Sequence, residues 1–304
     1  MSAAASPRRW GGRLRGRLRG WLDARRRIAP IYGINRRNVE LVYAHNPRRH
    51  YPLVDDKILC KERLAAAGVP LAPTIAICRG LFEVDATVRA LAGRDNFVIK
   101  PASGSGGDGI IVLGAREGGA WRTPKGRPVD ADAIRQHLAN ITFGTFAKNL
   151  EDRALIEARI EPHALYDALW PDGVCDLRII VLDGRPLLAM VRVPTRRSGG
   201  RANLHQGGIG VAVDIDRGET YRAVSKGRAI ATHPESGERL VGRRLPLWGR
   251  CVEVALAAAA IVPLGYLGVD LCVDRRWGPV IIELNARPGL EIQNVCARTL
   301  GDAL

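Results

Sequence analysis

The chain of 304 residues is 46% hydrophobic and 25% charged, and its formal net charge is +15. The first two figures are those of an ordinary globular protein and exclude a disordered or fibrous chain. The longest uncharged apolar run, 254–269, is interrupted by Pro263 and is short for a membrane span.

Much of the basic excess is local. Arg8, Arg9, Arg13, Arg15, Arg17, Arg19, Arg25, Arg26 and Arg27 crowd the first thirty residues, opposed only by Asp23. Trp10, Leu14, Leu18, Trp21 and Leu22 recur among them at helical spacing, while Gly11, Gly12, Gly16 and Gly20 weaken a helix. Residues 1–30 are therefore expected to be a flexible or amphipathic basic arm that orders on contact with an anionic membrane or RNA. Serines are too few for a typical transit peptide.

A globular part is expected from residue 31 onward, divided into 31–155 and 156–304. Asn35 to Asn38 and Asn46 to Arg49 resemble turns. A helix is expected over 55–67, stopped by Gly68 with Pro70 beyond. Strands are expected over 72–78, 97–100 and 110–113, with helices over 83–92 and 130–140. Further strands follow at 154–160, 177–182 and 187–193, the last two joined as a hairpin at Asp183-Gly184. A helix over 247–262 precedes two final strands. Hairpins and helices in this order suggest an α+β or mixed α/β chain with largely antiparallel sheets. The cysteines, Cys60, Cys78, Cys175, Cys251, Cys272 and Cys296, have no CxxC spacing and follow no secretory leader. They are expected to be reduced, buried thiols in a cytoplasmic protein.

Two stretches carry chemistry. The first is Gly268-Val269-Asp270-Leu271-Cys272 with Ile282-Glu283-Leu284-Asn285-Ala286-Arg287-Pro288-Gly289. Carboxylates in apolar strands are costly unless compensated. Glu283 and Asn285 share a strand face, and pairing of the two strands would bring Asp270 to them. Two carboxylates and an amide oxygen suit Mg²⁺. The second runs from Phe97-Val98-Ile99-Lys100-Pro101 through Gly104, Ser105, Gly106, Gly107 and Gly109 to a second strand. It places a lysine at the base of a loop whose amides can form an anion nest. The loop leads to a strand and lacks Gly-Lys-Ser/Thr, so it is neither a P-loop nor a dinucleotide fingerprint.

These motifs occur in order with Lys57 before a helix ending Ala-Ala-Gly-Val-Pro, with Leu155-Ile156-Glu157-Ala158-Arg159-Ile160, and with Asp176-Leu177-Arg178. Ala189-Met190-Val191-Arg192 and Asn203-Leu204-His205-Gln206-Gly207-Gly208 come next. Over 31–300 the chain resembles ATP-grasp carboxylate–amine ligases, most closely the ribosomal-protein glutamate ligase branch and its alpha-L-glutamate-ligase-like relatives. The resemblance implies two α/β lobes clasping ATP. Lys57 and Lys100 would hold phosphates, with Gly104 to Gly109 as the phosphate lid. Glu157, Ala158 and Ile160 would form the hinge along the adenine edge, and Glu161 would face the ribose. Arg178, Arg192 and Arg287 would neutralise the transferred phosphate or a carboxylate, and Asn203 would sit by the phosphates or the metal. Asp270, Glu283 and Asn285 would bind two Mg²⁺ ions, with Mn²⁺ as a substitute. His205 would act as a base or fix its loop.

The implied reaction joins a carboxylate, with glutamate as the first candidate, to an amine through an acyl phosphate. Such ligases usually carry a substrate domain before the first lysine, whereas about fifty-five residues precede Lys57 here, which leaves the acceptor open. Two other readings compete: a nucleotide-binding pseudoenzyme, and a binding module tethered to membrane or nucleic acid by the arm.

Overall fold

The computed structural model describes residues 31–104, 106–147 and 151–304; the basic arm and Ser105 lie outside these. A short helix α1 (Ile34–Arg37) runs into a π-helical stretch (Asn38–Tyr43), and α2 (Pro52–Asp55) leads to α3 (Lys57–Ala66). Asp56 starts α3 by accepting the amides of Ile58 and Leu59, which satisfies two of the donors that a helix start leaves unpaired. Gly68, at φ +72°, ends that turn.

A four-stranded antiparallel sheet follows. Its strands are β1 (Thr74–Cys78), β2 (Phe97–Pro101), β3 (Ile111–Leu113) and β7 (Ala154–Ala158), in the order β1-β7-β2-β3. A three-stranded ribbon, β4 (Arg116–Glu117), β5 (Ala120–Arg122) and β6 (Pro128–Val129), interrupts it in sequence. One face of the four-stranded sheet packs on α4 (Val84–Leu91) and α5 (Ala131–Thr142), around Phe97, Ile99, Leu138 and Ile156. The opposite face carries Leu155, which meets Ile58 of α3.

After α6 (Ala164–Leu169), a larger sheet is built from seven antiparallel strands. They are β8 (Asp176–Leu182), β9 (Arg185–Val193), β10 (Ile209–Val213), β11 (Thr220–Ser225), β12 (Arg228–Ile230), β13 (Tyr266–Asp274) and β14 (Gly278–Asn285). Their order is β12-β11-β10-β9-β8-β13-β14. The hairpin turn between β8 and β9 has both central residues at positive φ, Asp183 at 46° and Gly184 at 78°, as a twist-matched two-residue turn requires. One sheet face covers α7 (Trp248–Ile261) through Val254, Ala255 and Ala258. The other packs on the first helices and on α8 (Glu291–Cys296), through Tyr32, Val42, Met190 and Val295, with α9 (Leu300–Ala303) closing the chain.

Residues 32–69 thus lie against the large sheet, although the sequence groups them with the smaller one: Val54, Cys60, Leu64 and Val69 belong to its core. Helix α3 sits between the sheets. All six cysteines are buried and free. No helix among the described residues is long and apolar enough to cross a membrane.

Asn46 belongs to this packing and is no surface turn. Only 1% exposed, it donates to the carbonyls of Tyr266 (2.7 Å) and Ala286 (2.8 Å) and accepts the Tyr266 amide (2.9 Å). The side chain stitches the first helices to β13 and to the turn after β14. Asn46→Ala would strand three buried backbone groups, and stranding even one costs about 1–3 kcal/mol. We expect urea unfolding to report about 3 kcal/mol of lost stability, with an unchanged slope.

Candidate active site

The site begins with strand register. Arg178 on β8, Asp270 on β13 and Glu283 on β14 stand opposite one another across three adjacent strands. Opposite residues in antiparallel pairs share a face, so this polar row continues the sheet face that elsewhere packs on the first helices. Asp176, two residues before Arg178, faces Arg192 on β9. Gly268 precedes the acid by two residues; a Cβ there would lie 2.6 Å from the Pro288 side chain, so glycine lets the turn after β14 fold back onto β13.

Asp270 is 1% exposed and is fully engaged. Arg178 donates from Nε (2.7 Å) and Nη2 (2.6 Å), Arg192 from Nη2 (2.7 Å), and Asn285 from Nδ2 (3.3 Å). Arg192 also holds Asp176 with two hydrogen bonds, at 2.5 and 2.7 Å. Burial raises the Asp270 carboxyl, but the two guanidiniums outweigh it and hold the group down to about 2. Asp270 therefore stays ionised, as the pairing demands.

The second part of the site is a cleft between the two sheets, lined by Lys57 and Lys61 of α3, Lys100 of β2, Glu157 of β7, and Ile282 and Glu283 of β14. Glu157 is 7% exposed. It is gripped by Lys100 on one carboxylate oxygen and by Lys61 on the other. Burial alone would raise its carboxyl, yet the two ammonium groups leave it below the usual range. Burial lowers the Lys57 amine, and the charge of Glu283 partly offsets this. The Lys57 side chain donates to the carbonyl of Gly104 and, at 3.4 Å, to that of Ala102.

The described part of the glycine loop that follows Lys100 is tied down at several points. The Ser103 amide donates to both oxygens of Asp152 (3.1 Å each). His137 meets the Gly109 carbonyl at 2.9 Å. Gly109, at φ +74°, lies against the Phe146 ring, where a Cβ would come within 2.6 Å. Two contacts reach across from the loop that joins β9 to β10: Arg201 to Asp108 (3.2 Å) and Gln206 Nε2 to the Gly106 carbonyl (3.3 Å).

The other residues expected in the site have partners of their own. Arg287 is half exposed, pairs with Asp55 at 2.8 Å and lies over the Tyr51 ring. Asn203 accepts the His205 amide (3.0 Å) and caps a short 3₁₀ turn. Glu161 pairs with Arg275 and, at 3.1 Å, with Arg276. Arg276 also donates to the carbonyl of Arg159 (2.7 Å), which binds the expected hinge, including Ala158 and Ile160, to the β13–β14 turn. Ser105 is not among the described residues. Sequence reasoning passed over Lys61, although it follows Lys57 by one helical turn and so shares its face. It also passed over Asp176, which sits in the Asp-Leu-Arg triplet that was singled out only for its arginine.

Asp270, Glu283 and Asn285 come together on β13 and β14, where Asn285 Nδ2 donates to Asp270 (3.3 Å) and to Glu283 (3.4 Å). Among the described residues no three acidic, histidine or cysteine side chains cluster as a complete metal cage. A cation held by Asp270, Glu283 and Asn285 would take few protein ligands and complete its shell with phosphate and water. Binding would require Asp270 to share its oxygens with the two arginines, and Asn285 to present Oδ1 in place of Nδ2.

The profile of the sugar-transfer associated ATP-grasp family matches residues 36–302. The chain belongs to this family. Among curated proteins, this ATP-grasp chain is 25% identical over 263 residues to a probable alpha-L-glutamate ligase of Xanthomonas oryzae pv. oryzae, covering 86% of the chain and 67% of that protein. A probable alpha-L-glutamate ligase of Maridesulfovibrio salexigens is 24% identical over 236 residues, 78% of this chain and 56% of its own. Among solved structures, D-alanine–D-alanine ligase from Bacillus anthracis in complex with ATP superposes with a TM-score of 0.46 and 13% identity, over 83% of this chain and 63% of that one. The chain therefore spans between about half and two thirds of the length of these proteins. Its fold is that of the ATP-grasp family.

The two contacts from the β9–β10 loop generate a test. The Arg201–Asp108 pair is solvent-exposed, and such pairs contribute at most about 1 kcal/mol. Arg201→Ala should leave the melting temperature within about 2 °C while amide hydrogen exchange of residues 106–109 accelerates several-fold. Unchanged exchange would show that the contact does not restrain the loop.

Proposed function

We propose that this protein forms an amide bond between a substrate carboxylate and an amine by way of an acyl phosphate, in the cleft described above. The observation that supports it most is the convergence of Lys57, Lys100, Glu157 and Glu283, from four separate elements, on that one cleft. In the first step a carboxylate oxygen attacks the γ-phosphorus of ATP, the bond to the β–γ bridging oxygen breaks, and ADP leaves. In the second the amine nitrogen attacks the acyl carbon, the bond to the phosphate oxygen breaks, and the nitrogen gives up a proton.

The residues divide this work. Lys57 and Lys100 bind phosphate oxygens from two directions, as charge-assisted donors. The glycine loop closes over them and keeps water from the acyl phosphate. Arg178 and Arg192, already fixed by Asp270 and Asp176, present guanidinium edges to a carboxylate or to the transferring group. Asp270, Glu283 and Asn285 would hold Mg²⁺, one ion or two, with Mn²⁺ as a substitute. When bound, the metal supplies positive charge to the polyphosphate oxygens. Glu157, Ala158 and Ile160 would meet the purine, and Glu161, Asn203 and Arg287 would enter only by exchanging their present partners.

The acid is proposed to be an amino acid of the glutamate class, on the strength of the curated relatives' names, and the amine a small molecule or a peptide. The basic arm is proposed to contact an anionic membrane or RNA from a cytoplasmic location, a reading supported by its arginine and tryptophan spacing alone.

Two outcomes test the core of this proposal. Glu283→Gln and Asp270→Asn should abolish ADP release in the presence of Mg²⁺, acid and amine while circular dichroism shows a folded protein. Near wild-type turnover in either variant would rule out the metal assignment. Lys100→Ala should weaken ATP binding by about 1.5–3 kcal/mol, measured as the apparent KM, and an unchanged value would remove Lys100 from the phosphate site.

A further inference from the structure

Lys61 has no part in the reaction described so far, yet it sits in the same cleft. Its side chain and those of Lys100 and Glu157 are 11%, 15% and 9% exposed. The three form a buried row of cation, anion and cation, with one lysine on each carboxylate oxygen of Glu157. The two lysines differ in how they are held. Lys61 Nζ also donates to the Ala72 carbonyl at 2.5 Å, in the segment that leads into β1. Lys100 extends from β2 at the base of the glycine loop.

Drawing the Lys100 ammonium onto a phosphate weakens its hold on Glu157, since the two anions compete for one cation. A buried carboxylate that loses its last counter-ion is strongly destabilised. With Lys61 absent, nucleotide binding would leave Glu157 short of counter-charge, which would hold Lys100 back. With Lys61 anchored on a backbone carbonyl, Glu157 remains paired after Lys100 departs. We propose that Lys61 is a positioning residue for nucleotide binding: as the resident counter-ion of Glu157, it frees Lys100 to move from Glu157 to the nucleotide phosphates. The assignment rests on the ATP reading above and deepens it.

This makes the effect of Lys61 conditional on Glu157. A lysine that merely added positive charge to the cleft, or merely packed there, would have the same effect whichever residue stood at position 157. The test is a four-protein cycle in the full chain: wild type, K61M, E157Q and K61M/E157Q. ADP affinity in Mg²⁺ is measured by titration calorimetry, and thermal melting checks that each protein is folded. K61M should weaken ADP binding tenfold or more when Glu157 is present, and less than threefold in the E157Q background. Losses that differ by less than threefold between the two backgrounds would overturn the proposal, as would a K61M protein that binds ADP like wild type. Should K61M fail to fold, K61Q keeps a donor for the Ala72 carbonyl, and the same comparison applies. Failure of the wild-type protein to bind ADP would overturn the ATP reading itself, and this assignment with it.

Discussion

A carboxylate lies almost fully buried on the last strand but one of a seven-stranded sheet, and the surrounding site is arranged around its charge. Asp270 cannot be hydrated where it sits, and an uncompensated ion there would cost several kcal/mol. Two arginines from two neighbouring strands meet it, and Asp176 in turn holds the second of them. The result is a rigid alternation of charge across β8, β9 and β13. Removing any one member would weaken the protein, yet the intact network adds little net stability, because the cost of desolvating its charges offsets their attraction. Its value is positional: it holds two guanidinium groups at fixed places on a sheet face beside a cleft, before any substrate arrives.

The same logic governs the other side of the cleft at smaller scale. Glu157 is buried between Lys61 and Lys100, and Lys57 is fixed by carbonyls of the glycine loop. Both lobes therefore keep their cations engaged with internal anions or carbonyls. Placing α3 between the two sheets makes this possible. Its apolar residues Cys60 and Leu64 pack on the large sheet, Ile58 packs on the small one, and Lys57 and Lys61 project into the gap. One short helix thus sets the spacing between the glycine loop and the acidic strands.

How far the sequence disclosed this depends on the range of the interaction. Helix α3 was legible because Asp56 and Gly68 mark its ends through local hydrogen bonding and backbone freedom. The β8–β9 hairpin was legible from Asp183-Gly184, and β2 and β7 from their apolar runs. The ribbon β4–β6 was missed because strands of two or three residues have too little period to register. Strands β10 to β12 were missed as well: β10, Ile-Gly-Val-Ala-Val, is buried on both faces and shows no alternation. Asn46 looked like a turn residue because a lone asparagine between polar neighbours usually is one. Nothing nearby in sequence announces the carbonyls, more than two hundred residues away, that it binds.

For the candidate site, residue type and local order pointed to Lys100, Asp270, Glu283 and Asn285, since charge in apolar strands and a lysine before a glycine loop are local signals, whereas Lys57 and Glu157 came from the family resemblance. Strand pairing, on which Asp270 depends to reach Glu283, follows from a short connection and a shared apolar pattern, and was also within reach. Which charges neutralise which was not. The grip of Arg178 and Arg192 on Asp270, of Lys61 on Glu157 and of Arg287 on Asp55 joins residues 78 to 232 positions apart. Coulombic pairing depends on distance in space and on how much water is excluded, and neither is written in the order of residues. The sequence by itself determined the longer helices, the strands with clear apolar runs and the inventory of ionisable groups. Only the tertiary structure decided their partners, because burial raises the cost of every unpaired charge and so makes the choice of partner a property of the packed interior.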